Sequence, residues 1–254
     1  MNASSGPGRV SRDLLCAVQF LTRIPVPTAP YQPDSLARAT RFFPFVGALL
    51  GAAAALLHQL IVPHLGRLPT ALVVVIFFVL ITGGLHEDGL ADTADGLGGG
   101  RSREQILLIF RDSRIGSYGA TALSVSLLAR VILIASVPLS QIAQYLIAAQ
   151  ILCRWTTLPL SYLCPPARQA DGQGARIAQL TTRGSLLLGT AFSFVAVGFL
   201  LRWRSVVPLL FAIAVTLLSA RLYKRKIGGV TGDCFGATNQ ITEIAVYLCG
   251  AWIV

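Results

Sequence analysis

Charge is what this sequence has least of. Asp, Glu, Lys and Arg make up 13% of its 254 residues and 54% are hydrophobic, where an average soluble domain carries roughly 25% charged residues. A mean hydropathy of +0.67 excludes an ordinary water-soluble domain. The apolar residues are also blocked into runs such as 71–81, which holds no polar side chain. One such run could be a buried strand, but six or seven of helix length point to lipid. The five cysteines (Cys16, Cys153, Cys164, Cys234, Cys249) have no CxxC or Cys/His spacing, so a zinc site is excluded and free thiols are expected. No small-residue cleavage site follows the apolar stretch 14–21, which excludes a signal peptide. No repeat or low-complexity segment is present. The formal charge of +10 does not mark a nucleic-acid binder, because the basic residues recur between apolar spans and form no single stripe.

Hydropathy places spans at 42–62, 70–85, 117–137, 141–159, 185–201, 205–220 and 241–254. Residues 1–12 are polar and rich in Gly, Ser and Pro, the composition of a disordered lead. The stretch 14–21 runs into Thr22-Arg23-Ile24-Pro25-Val26-Pro27 and reads as an interfacial or re-entrant helix. The predicted fold class is therefore all-α: a polytopic integral membrane helical bundle of about seven transmembrane helices plus an N-terminal interfacial helix. It forms one membrane-embedded catalytic domain over 1–254. With seven spans, Arg67, Arg202 and Arg204 fall on one side, Arg130 lies within a span, and every other Lys and Arg falls on the opposite side. Positive charge marks the cytoplasmic face, so the N-terminus is expected inside and the C-terminus outside. All eleven acidic residues are assigned to that same face.

The densest chemistry lies in residues 83–100, which include His86, Glu87, Asp88, Asp92 and Asp95 among seven glycines. Asp88, Asp92 and Asp95 stand at i, i+4 and i+7, one face of a helix. Stacked like charges repel, and a solvated juxtamembrane turn would not need them; a hard divalent cation reverses that sign. Mg²⁺ takes oxygen ligands and commonly joins one or two carboxylates to substrate phosphates. Glu87 points off this face. His86 stays open between ligand, proton shuttle and hydrogen-bonded interfacial residue. A second block, Arg111-Asp112-Ser113-Arg114-Ile115-Gly116-Ser117-Tyr118-Gly119, pairs arginine forks with a helix start, a combination suited to phosphate. The third, Gly228-Gly229-Val230-Thr231-Gly232-Asp233, leads to Asn239 and Glu243 and follows Lys224, Arg225 and Lys226. It resembles the first block in composition, and the two are expected to face one another across a cytoplasmic cavity.

Five segments, 20–27, 83–86, 88–96, 111–116 and 228–233, taken in this order resemble the cobalamin synthase family, also called adenosylcobinamide-GDP ribazoletransferase or cobalamin-5′-phosphate synthase. This chain departs from the pattern at Glu87, where an apolar residue is usual, and at Val230 and Cys234-Phe235. The resemblance implies a Mg²⁺-dependent transferase of the bacterial cytoplasmic (inner) membrane, with its active site facing the cytoplasm. Its substrates would be adenosylcobinamide-GDP and α-ribazole or α-ribazole 5′-phosphate. A ribose hydroxyl attacks the phosphorus attached to adenosylcobinamide, and GMP leaves. Asp88, Asp92 and Asp95 are then the expected metal ligands and catalytic residues. Asp112 either completes that set or accepts the hydroxyl proton. Arg111 and Arg114 meet the diphosphate; Asp233 holds a second metal or the ribazole, and His86 and Asn239 are further substrate contacts. The lipid bilayer is the expected surrounding, nucleic acid is not a partner, and an oligomer is left open. Two other readings compete. A CDP-alcohol phosphotransferase would need an Ala-Arg pair soon after its first Asp-Gly, whereas Asp88-Gly89-Leu90-Ala91 runs into Asp92. A cation transporter would place acidic residues near mid-bilayer.

Overall fold

A computed structural model of the chain describes residues 7–27, 35–168 and 173–252. The helices are α1 (Pro7–Leu21), α2 (Ser35–Ala39), α3 (Phe43–Leu65), α4 (Arg67–Thr82), α5 (Leu85–Gly99), α6 (Arg103–Ile109) and α7 (Ser117–Ser136). They continue with α8 (Ile142–Trp155), α9 (Thr157–Leu163), α10 (Gln173–Leu180), α11 (Arg183–Leu201), α12 (Val206–Ile227) and α13 (Gly232–Trp252). No strand occurs among the described residues; one isolated bridge joins Pro166 to Val230. Each expected span coincides with a helix, except that 141–159 breaks at Thr156 into α8 and α9. Among the described residues, length and apolarity single out three stretches able to cross a membrane, Ser35–Leu65, Ser117–Ser136 and Arg183–Ile227, or four if α4 and α5 count as one bent span.

The bundle is built around α8, whose Leu146, Ala148, Ala149, Ile151 and Leu152 are fully buried. Helices α3, α11 and α13 pack on it. Gly47 and Gly51 of α3 set that approach: a Cβ would fall 2.0 Å from the Gln150 carbonyl oxygen at the first and 2.6 Å from Ile147 Cα at the second. Small residues four apart let two backbones meet where lipid supplies no hydrophobic drive. The outer faces carry exposed Leu56, Leu60, Leu80, Leu128, Val195, Phe199 and Leu218, a surface that water would not tolerate and acyl chains would.

Helix α1 begins at Pro7, inside the stretch expected as a disordered lead; residues 1–6, Asp34 and Asp171 lie outside the described residues. Asp13 of α1 is buried and paired with Arg38 at 3.4 Å and Arg41 at 3.0 Å, so two arginines predicted as topology charges also fasten α1 to the bundle. Gly83 and Gly84, at φ of 69° and 73°, end α4 in left-handed backbone that favours glycine. The chain thereby turns through 89° into α5. Helix α5 thus leaves the direction of α4 and packs against α7 and α13.

Candidate active site

Helices α5 and α13 cross where Gly89 meets Gly236. A Cβ at Gly89 would lie 2.9 Å from the Asp233 carbonyl oxygen and 3.1 Å from Gly236 Cα. That crossing brings Asp88 and Asp92 of α5 together with Asp233 in the first turn of α13, the facing of blocks one and three expected from composition. Asp88 is exposed, Asp92 half-buried and Asp233 half-buried. Burial, then the charges of Asp88, Asp233 and Asp95, push the Asp92 carboxyl up to about 7. Burial raises Asp233 as well, against the Thr231 hydroxyl, which donates to it at 3.1 Å, and nearby Arg168. Uncompensated negative charge is what a bound cation relieves, and an oxygen-only donor set fits a hard one. Among the described residues no three His, Cys, Asp or Glu side chains converge closely enough to hold an ion by themselves. Mg²⁺ ordinarily completes its shell with water and substrate phosphate, so a pair of carboxylates remains a fit.

Two cavities meet at Asp88. The first, of about 370 Å³, is lined by Phe20, Phe43, Phe110 and Phe235 together with His86, Asp88, Arg168 and Asp233. The second, of about 630 Å³, is lined by Arg23, Gly83, Gly84, Asp88, Asp92 and Ser113. His86 is buried, and burial with the charges of Arg154 and Arg130 holds its imidazole well below its ordinary range. It is therefore neutral at pH 7.

The remaining predicted residues separate. Both carboxylate oxygens of Asp95 accept backbone N–H groups at the start of α7, from Gly116 at 2.7 Å and Gly119 at 2.8 Å. Cβ atoms at those glycines would fall 2.4 and 2.2 Å from Asp95 oxygens, which accounts for the Gly116/Gly119 pair. Asp95 thus anchors α7 through its N-terminal amides. Asp112 is engaged by Arg114, whose Nη2 donates at 2.7 Å. Arg114's hydrogen bonds hold Asp112 down to about 2. Arg114 is 87% exposed, Arg111 is exposed near Arg168, and Asn239 is buried within α13, lining neither cavity.

Three features were missed in the sequence. Arg168 reaches the first cavity because the bridge at Pro166–Val230 fastens its loop beside α13: Val230 N–H donates to Pro165 and Ala167 N–H to Val230, each at 2.9 Å. Arg103, counted as a topology charge, secures the same place by donating to the carbonyls of Ile227 at 2.8 Å and Ala167 at 2.9 Å. Arg130 is 1% exposed in α7 and donates to Glu87 at 2.7 Å, with Glu243 at 3.5 Å. Gln240 donates to Glu87 at 3.3 Å and accepts from Ser126 at 2.9 Å. Glu243, assigned to the cytoplasmic rim from loop charge, instead lies buried three turns inside α13. A lone arginine in an apolar run is the signal that could have revealed this network.

The protein-family model described as "Cobalamin-5-phosphate synthase" matches residues 13–251. Three relatives carry the name "Adenosylcobinamide-GDP ribazoletransferase". That of Polaromonas sp. (strain JS666 / ATCC BAA-500) is 39% identical, covering 93% of this chain and 95% of its own. That of Azorhizobium caulinodans is 41% identical over 96% and 97%, and that of a Sinorhizobium sp. is 42% identical over 92% and 94%. No solved structure matches. With helices throughout, carboxylates gathered at one crossing and a family match over nearly its whole length, the chain belongs to the cobalamin-5-phosphate synthase family.

Proposed function

We propose that this chain carries the activity for which its relatives are named: it joins α-ribazole, or α-ribazole 5′-phosphate, to adenosylcobinamide-GDP in the late step of cobalamin biosynthesis. The observation that carries the mechanism is Asp88, a carboxylate in the wall shared by two cavities large enough for ligands. A ribose hydroxyl oxygen forms a bond to the phosphorus attached to adenosylcobinamide. The phosphorus–oxygen bond to GMP breaks, and GMP leaves with the electron pair. The hydroxyl proton passes to Asp233, which lines the first cavity and not the second; Asp112, held at about 2 by Arg114, is a poor acceptor. Asp88 and Asp92 would hold Mg²⁺, which when bound neutralises the diphosphate and the charge growing on GMP. Arg23 and Ser113 line the side where that anion enters.

The reading includes a site at the cytoplasmic face of a bacterial inner membrane, with seven spans. The charge asymmetry supports it, as does the match of six of the seven predicted spans to single helices. Purified protein in lipid nanodiscs, given adenosylcobinamide-GDP, α-ribazole and Mg²⁺, is expected to form adenosylcobalamin. Formation of a phospholipid from CDP-alcohol substrates instead would overturn the assignment.

A further inference from the structure

Resting on that functional reading, we infer that the two cavities divide the substrates. The phenylalanine-lined cavity takes the aromatic acceptor nucleoside, and Arg168 within it binds a 5′-phosphate on that nucleoside. The larger cavity takes the diphosphate portion of the donor. Three observations carry this division. The first cavity, at about 370 Å³, is the smaller and presents Phe20, Phe43, Phe110 and Phe235; Phe20 and Phe43 stack with centroids 5.4 Å apart and planes 10° from parallel. Flat apolar walls suit an uncharged heteroaromatic base. The second cavity presents Arg23, Ser113 and two aspartates and has room for a larger anionic ligand with its cation. Asp88 borders both, so a nucleophile entering from the first side and a phosphorus held on the second would meet there.

Arg168 adds the phosphate. It is the one Lys or Arg among the described residues that line the first cavity. Its guanidinium donates to the Leu107 carbonyl, and the loop bridge to Val230 fixes its root. Burial and then nearby Arg111 disfavour the Arg168 charge, with Asp233 opposing them, and a phosphate bound at Arg168 would favour it further. Asp88 and Asp233 occupy the same cavity, so a nucleoside with its hydroxyl at the carboxylates can extend its 5′ end toward Arg168.

Steady-state kinetics with both acceptors tests this. Arg168→Met should raise KM for α-ribazole 5′-phosphate at least tenfold while changing KM for α-ribazole and for adenosylcobinamide-GDP less than threefold. Ala175→Leu, which narrows the first cavity, should raise KM for both acceptors and spare the donor. Equal losses on the two acceptors with Arg168→Met, or a raised donor KM with either variant, would overturn the division. On unmodified protein, GMP should compete with adenosylcobinamide-GDP and not with the nucleoside; competition with the nucleoside would place both in one cavity and also overturn it. Absence of any GMP release by unmodified protein would instead remove the functional reading itself.

Discussion

Asp92 and Asp95 lie less than one turn apart on α5, yet their surroundings assign them different work. Asp95 has both oxygens satisfied by the amides of Gly116 and Gly119, so Asp95→Asn should cost stability, about 1–3 kcal/mol. That loss would appear as a lower Tm, with Mg²⁺ affinity little changed. Asp92→Asn should do the reverse, leaving the metal-free Tm intact or higher and cutting Mg²⁺ affinity and turnover at least a hundredfold. Calorimetry with and without Mg²⁺ separates the two; equal metal defects would return Asp95 to the ligand set. The Asp92 carboxyl near 7 also gives a sign. Protons compete with the cation, so Mg²⁺ affinity should fall about tenfold per pH unit below 7 and flatten above it. Because this pKa is raised on folding, its contribution to metal-free stability is fullest below about 4 and is lost as pH rises to about 7. The sequence spacing of Asp88, Asp92 and Asp95 revealed the shared face. It could not reveal that α7 begins against Asp95, because the 20 residues between Asp95 and Gly116 contain no mark of where they return.

At the scale of elements, α5 is held against α7 and α13 by Arg130, which pairs with Glu87 and Glu243 in a buried setting. Removing the cation alone strands two carboxylates: Arg130→Met should cost about 3–5 kcal/mol. Replacing the set together, Glu87→Gln with Arg130→Met and Glu243→Gln, should restore most of that stability. Chemical denaturation in detergent reads both. A mild effect of Arg130→Met would mean that the pair contributes little. Hydropathy found the long helices, because each apolar run is continuous along the chain; the short α2, α6 and α10 lie outside every predicted span. The break at Thr156 and the early start of α13 at Gly232 escaped it, since α8 and α13 bury polar residues such as Gln150, Asn239 and Glu243 that interrupt hydropathy without interrupting the helix. The close approach of α3 to α8 at Gly47 and Gly51 went unread in the sequence, because two small residues four apart do not name their partner helix.

For the whole molecule, the expectation from loop charge is that the candidate carboxylates face the cytoplasm. In a background lacking the native cysteines, Leu68→Cys and Trp203→Cys should label from the periplasm, and Arg101→Cys and Leu180→Cys should not; reversed labelling would overturn the orientation. A cation transporter would need free carboxylates along a path through the bundle, whereas the deep Glu87 and Glu243 are both engaged by Arg130. The central claim is that Asp88 stands where metal, donor and acceptor meet. Its most direct test is GMP release from adenosylcobinamide-GDP in nanodiscs, compared between unmodified protein and Asp88→Asn, with Mg²⁺ or with excess chelator. Release that requires both α-ribazole and Mg²⁺, and that drops at least a thousandfold in Asp88→Asn at unchanged Tm, is the predicted result. Full release in chelator, or in the Asp88→Asn protein, would contradict it.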